Sequence, residues 1–137
     1  MKNRRYIAVV QCQIVKQRCS GYFCEKSYTD RTGGFRIYSK GRQYRTIYMD
    51  CGGCCGRAIL RKLQNLKKML RMEEKIGKEA IAVQLSSCIT KDNYHAPPCP
   101  HLDYMKAQIG RLGLACHEDT HISARAEKRR RKGIYRN

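Results

Sequence analysis

The stretch YRTIYMDCGGCCGRAILRKLQNLKKML, residues 44–70, constrains the fold more than any other. Tyr44–Met49 is rich in β-branched and aromatic residues and predicts a strand. Ile59, Leu63, Leu66 and Leu70 recur at spacings of four, three and four, and Leu60 and Met69 widen the stripe. Arg61, Lys62, Lys67, Lys68 and Arg71 fall largely on the opposite face, so the segment predicts an amphipathic helix, with Gly77 as its terminator. Three glycines and three cysteines fill the turn between strand and helix. A strand that feeds straight into such a helix is half of a βαβ unit, and its apolar stripe must be buried on a sheet.

The rest of the chain repeats this alternation. Tyr6–Gln11 is a short apolar run with Cys12 at its end and predicts a buried strand. Ser20 is placed to cap a short helix that stops before Gly33 and Gly34. Ala80–Leu85 predicts a third strand, closed by SSC with Cys88. YHAPPCPH is a proline-rich loop, and a helix is expected from Leu102 to the stop at Gly113. Leu114–Cys116 offers a short fourth strand. The order strand, helix, strand, helix, strand, helix, strand predicts an α/β fold: one small domain over residues 1–124, with a mostly parallel four-stranded sheet and flanking helices, of the Rossmann or flavodoxin-like kind.

Residues 125–137, RAEKRRRKGIYRN, hold seven positive charges opposed only by Glu127, and predict a flexible, disordered basic tail. Over the whole chain 29 Lys and Arg face 11 Asp and Glu. Such a polycation attracts nucleic acid weakly and without sequence preference. No apolar run is long enough to span a membrane, and IAVV is too short for the core of an export signal, so a cytoplasmic protein is expected. Nine cysteines, an odd number, then point to metal or thiol chemistry rather than a disulfide framework.

In parallel sheets ligands gather beyond the carboxyl ends of the strands. Cys12 follows the first strand, Cys51 and Cys54 the second, Cys88 the third with Cys99 and His101 beyond it, and Cys116, His117 and His121 follow the fourth. Three chemistries use a cysteine-rich strand-to-helix turn. A metal site would take Cys51 and Cys54 at zinc-knuckle spacing and complete its shell from Cys12, Cys88, Cys99 and His101; soft thiolates suit zinc or an iron–sulfur cluster, with zinc preferred. A redox pair would use Cys51 and Cys54 at the helix start. An oxyanion enzyme would use Cys51 as nucleophile and Arg57 to hold the anion, a C-x5-R spacing, with Asp92, Asp103 or Asp119 as acid. His95 and His117 are read as solvated, Cys19 and Cys24 around SGYF offer a second site, donation to the first, or packing on a helix face, and Cys55 and Cys116 are given no role.

CGGC at 51–54 continuing as GR, the early C-x6-C-S-G-x2-C of Cys12, Cys19 and Cys24, FRIY at 35–38, SSC at 86–88, CPH at 99–101 and TH at 120–121 together resemble the CGGC-domain family of small bacterial and archaeal proteins. The resemblance reaches to His121 and leaves the basic tail outside. It implies a metal-binding role, and it adds His121 to the candidate ligands.

Overall fold

Six consecutive buried residues make Tyr6–Gln11 (β1) the centre of the sheet. The computed structural model describes residues 4–53, 56–91 and 99–133. β1 is followed by α1 (Tyr22–Asp30), a 3-10 turn (Gly33–Ile37), β2 (Arg45–Asp50), α2 (Arg57–Glu74), β3 (Ile81–Leu85), α3 (Ser87–Thr90), α4 (Leu102–Arg111), β4 (Ala115–Glu118) and α5 (Ala124–Arg131). The strands lie in the order β2-β1-β3-β4, and every pair is parallel. The chain steps outward from β1 to β2, then returns across β1 to β3. The crevice of this sheet therefore opens between the carboxyl ends of β1 and β3.

Period-two alternation divides the apolar residues between two faces. Tyr6, Ala8 and Val10 of β1 and Ile81, Val83 and Leu85 of β3 pack against Ile59, Leu63, Leu66 and Leu70 of α2 and Met105 and Ile109 of α4. These α2 residues are the stripe expected from the sequence, and all four are buried. Ile7, Val9 and Ala82 face the other way, onto Tyr28 of α1 and onto Phe35, Tyr38 and Tyr44. Helices on both faces account for the continuous apolar character of β1 and β3.

Two details position the carboxyl edge. Gly56 precedes α2 with φ +94°, and a Cβ there would stand 2.3 Å from Met105 Cγ, so only glycine lets α2 start this close to α4. Gln84, fully buried in the middle of β3, accepts from Tyr38 Oη at 2.9 Å. Its amide nitrogen donates to the carbonyls of Gly34 (3.1 Å), Glu118 (3.1 Å) and Asp119 (2.6 Å), tying the segment after β4 to the 3-10 turn.

Three boundaries differ from expectation. α1 begins at Tyr22 behind a left-handed Gly21, not at Ser20, whose hydroxyl instead accepts from the Tyr22 amide at 3.3 Å. α2 stops at Lys75, left-handed at φ 57°, two residues before Gly77. β4 runs through the polar His117 and Glu118, because an edge strand leaves alternate residues in solvent, where Glu118 pairs with Lys106 at 2.9 Å. The described part of the basic segment, to Gly133, holds one two-turn helix, α5.

Candidate functional site

The strand phase that fills the α2 side of the core carries straight on into thiols. Beyond Tyr6, Ala8 and Val10 the next residue in phase is Cys12, and beyond Ile47 and Met49 on β2 it is Cys51; both pack against that same core. Gln11 pairs with Asp50, and the Cys51 amide extends the ladder by donating to the Gln11 carbonyl at 2.9 Å. Parallel register therefore sets Cys12 beside Cys51. The Cys12 amide donates to Cys88 Sγ at 3.2 Å, and the Gln13 amide donates to Cys51 Sγ at 3.4 Å. Gly52 and Gly53, with φ +82° and +71°, turn the chain back under Cys51. The Gly52 amide donates to Asp50 Oδ1 at 2.7 Å, and Lys62 of α2 pairs with the same oxygen at 3.0 Å, holding the Asp50 carboxyl below its ordinary range.

The two neighbouring thiols share their protons unequally. The Cys12 S–H donates to Cys51, and the amides of Gln13 and Gly53 add to it against the opposing effect of burial; the Cys51 thiol is lowered from 9.0 to about 5. Donation to Cys51, together with burial, pushes the Cys12 thiol up. Burial pushes Cys88 up to about 12. Among these three the shifts favour the thiolate at Cys51 and the protonated thiol at Cys12 and Cys88.

The remaining candidates are distributed around this centre. Cys99 packs against the same core, its amide donating to the Ile89 carbonyl at 2.9 Å. His101 is exposed just before α4 and makes no side-chain cap. Arg57, the first residue of α2, is exposed. Cys54, Cys55, Asp92 and His95 lie outside the described residues. Cys116 is half-buried on β4, its thiol raised to about 11 by burial. His117, expected to be solvated, is half-buried, with Nε2 enclosed and lacking a hydrogen-bond partner; burial first, and the positive charge of Arg4, lower its pKa. Among the described residues no three His, Cys, Asp or Glu side chains converge closely enough to hold an ion as they stand.

The other side of the β1 end is a different environment. A cavity of about 550 Å³ opens there, bounded by Gln11 of β1, by Phe23 and Cys24 of α1, and by Thr120 and His121 after β4. Cys88 lines it as well, so this one thiol touches both the cavity and the Cys12 amide. His121 stacks on Phe23 with ring centroids 4.4 Å apart and an interplanar angle of 19°. Burial lowers its pKa. The wall is made by a reciprocal clamp: the Thr120 amide donates to Ser87 Oγ at 3.0 Å and the Ser87 amide donates to Thr120 Oγ1 at 3.3 Å. Cys24 Sγ reaches Thr120 Oγ1 at 3.3 Å. Sequence reasoning missed this clamp. Its one signal is Gln84, a polar residue inside the apolar run IAVQL, which had to find partners in the segment just before Thr120.

The comparison with curated proteins and that with solved structures return no match. The family model of the CGGC domain matches residues 6–121. Those residues run from the first residue of β1, through the Cys51 turn, to the histidine stacked on Phe23. They include every described strand and all the thiols just described, and leave residues 1–5 and the stretch after His121 outside; the chain therefore belongs to the CGGC-domain family.

Proposed function

We propose that this protein binds a metal ion through thiolates at the carboxyl edge of its sheet, with Cys51 as the anchor. The observation that carries the reading is the linkage of Cys12, Cys51 and Cys88, three thiols from the ends of three strands, through hydrogen bonds at the crevice of the fold. Metal ligation needs a deprotonated sulfur, and Cys51 already supplies one at neutral pH. An ion would displace the protons of Cys12 and Cys88 in the same way. Cys54, two residues beyond Gly52, completes the knuckle spacing, and Cys99 or His101 fills any remaining position. Soft sulfur ligands favour zinc, with an iron–sulfur cluster as the alternative. His121 faces the cavity, and we assign it there rather than to the ion. The cysteine content suits the reducing cytoplasm.

The test is elemental analysis and a visible spectrum of protein purified without oxygen. The wild type should carry stoichiometric zinc, and Cys51→Ser/Cys54→Ser should lose it and melt at lower temperature. Unchanged metal in that double variant sinks the proposal; visible cluster absorption replaces zinc with iron and sulfide.

The lowered Cys51 thiol also supports a second reading, in which the same sulfur acts as a nucleophile in metal-free protein. Among the described residues its neighbouring thiol is Cys12, and Cys54 at C-x-x-C spacing is the other partner. A disulfide of Cys51 with Cys12 or with Cys54, formed under mild oxidant, would identify redox chemistry. Turnover of an aryl phosphate or arsenate, lost in both Cys51→Ser and Arg57→Ala, would identify oxyanion chemistry.

A further inference from the structure

The cavity beside β1 is not accounted for by the thiol centre, which lies on the α2 side of the sheet. Its volume, about 550 Å³, falls in the range of small-molecule sites. It opens at the crevice where strand order reverses, the position at which doubly wound sheets receive ligands. Its composition says what kind of ligand. Val15, Phe23 and Ile122 give it apolar walls, and Phe23 and Ile122 remain 54% and 39% exposed. Four cations, Lys16, Arg18, Lys91 and Arg125, line it against a single acid, Glu127.

That charge balance repels a metal cation and favours an anion. The Ser87 and Thr120 hydroxyl oxygens each accept from the other's backbone amide in the clamp, and the positive charge of the wall comes from the four cations. Lys16 and Lys91 are held only loosely: Lys16 Nζ stands 3.4 Å from the Ser20 carbonyl and Lys91 Nζ 3.9 Å from Asp119 Oδ2. Both can turn toward a ligand at little cost. The Phe23–His121 stack offers a flat surface on which a planar ring can lie.

We propose that this cavity binds a small organic anion with a flat apolar body, its ring on the Phe23–His121 stack and its charge toward Lys16, Lys91 and Arg125. The inference is independent of the metal reading. Cys88 belongs to both sites, on the cavity side as lining and on the thiol side through the Cys12 amide. α5 contributes Arg125 and Glu127, so the first turn of the basic segment forms one wall of the site.

The probe is anilinonaphthalene sulfonate, a flat apolar anion that fluoresces when taken out of water, set against the uncharged phenylnaphthylamine. Folded protein, checked by circular dichroism, should bind one sulfonate per chain, and more tightly than the neutral probe. Lys91→Ala/Arg125→Ala should weaken sulfonate binding by roughly tenfold, the loss of two charge-assisted contacts at a half-open site. Arg61→Ala/Arg71→Ala, which removes the same charge from the exposed face of α2, should change it less than about twofold. Bound sulfonate should also slow alkylation of Cys19 at the cavity rim, and Cys51→Ser/Cys54→Ser should bind it as the wild type does. Absence of saturable binding, equal affinity for the neutral probe, equal losses in the two charge-matched doubles, or loss of binding in the cysteine double would each overturn the proposal.

Discussion

Replacing Cys12 with alanine removes the hydrogen that the Cys51 thiolate receives, and the effect on Cys51 follows from the groups around it. With its thiol at about 5, Cys51 is about 99% ionised at pH 7, against about 1% for a thiol at the ordinary 9.0. The Cys12 S–H is the largest contributor to that lowering, ahead of the Gln13 and Gly53 amides, and burial acts against all three. Cys12→Ala leaves two amides opposed by desolvation, so the Cys51 midpoint should rise above about 7 and its ionised fraction at pH 7 should fall below about half. Cys12→Ser keeps a donor and should fall in between. The assay is iodoacetamide labelling from pH 4 to 10 with a chelator present, read at the Cys51 peptide by mass spectrometry. At pH 6 the labelling rate should drop at least tenfold or so in Cys12→Ala. Stability carries the same signature. Between about 5 and 9.0 the folded pair holds one proton fewer than the unfolded chain, so stability rises with pH across that window; above 9.0 it falls again, because Cys12 keeps a proton that the unfolded chain gives up. In Cys12→Ala the rise should flatten. A midpoint that stays near 5 in Cys12→Ala would refute the reasoning and assign the lowering to the backbone amides alone.

Gly56→Ala forces a left-handed alanine into Met105 and should cost about 2 kcal/mol, read as a fall in melting temperature of roughly 8 °C. Gln84→Leu strands the Tyr38 hydroxyl and the carbonyls of Gly34, Glu118 and Asp119, and should cost about 3 kcal/mol in urea unfolding. Deleting residues 125–137 should leave metal content and melting of the remaining fold unchanged, with the circular dichroism spectrum losing only the helical signal of α5, while weakening sulfonate binding, because Arg125 goes with them. The same deletion should remove any weak nucleic-acid binding, equally for every base sequence, and in the intact chain that binding should fade steeply with added salt.

The sheet was legible because its signals are local. The run Tyr6–Gln11 and the stripe Ile59, Leu63, Leu66 and Leu70 each reflect burial that a periodicity reports directly, and both coincide with elements of the fold. The edge at which the cysteines gather followed from strand order. What did not follow was the side of the sheet on which each one falls. Cys12 and Cys51 share the α2 side because both continue the strand phase of Val10 and Met49, a signal present in the sequence but usable only once register is known. His121 stands at the same edge, yet the Gln84 and Thr120 bonds carry its segment over to α1. Cys24 joins that side through packing of α1, which no spacing encodes. His117 looked solvated because its neighbours in sequence are polar; its environment is set by Tyr38 and Arg4, remote in the chain.

The central place of β1 has a consequence for how the chain is made. β1 leaves the ribosome ahead of both its neighbours, and Tyr6 must wait for Arg45 on one side and for Ile81 on the other before its backbone is fully paired. More than half of the polypeptide has to emerge before the most apolar segment finds shelter, and each closure joins distant points of the chain, the slow kind of event in folding. During that interval an exposed YIAVVQ is the segment most able to join a neighbouring nascent chain edge to edge. Arg4 and Arg5, immediately ahead of it, place positive charge at the end of that run, where like-charge repulsion opposes such pairing.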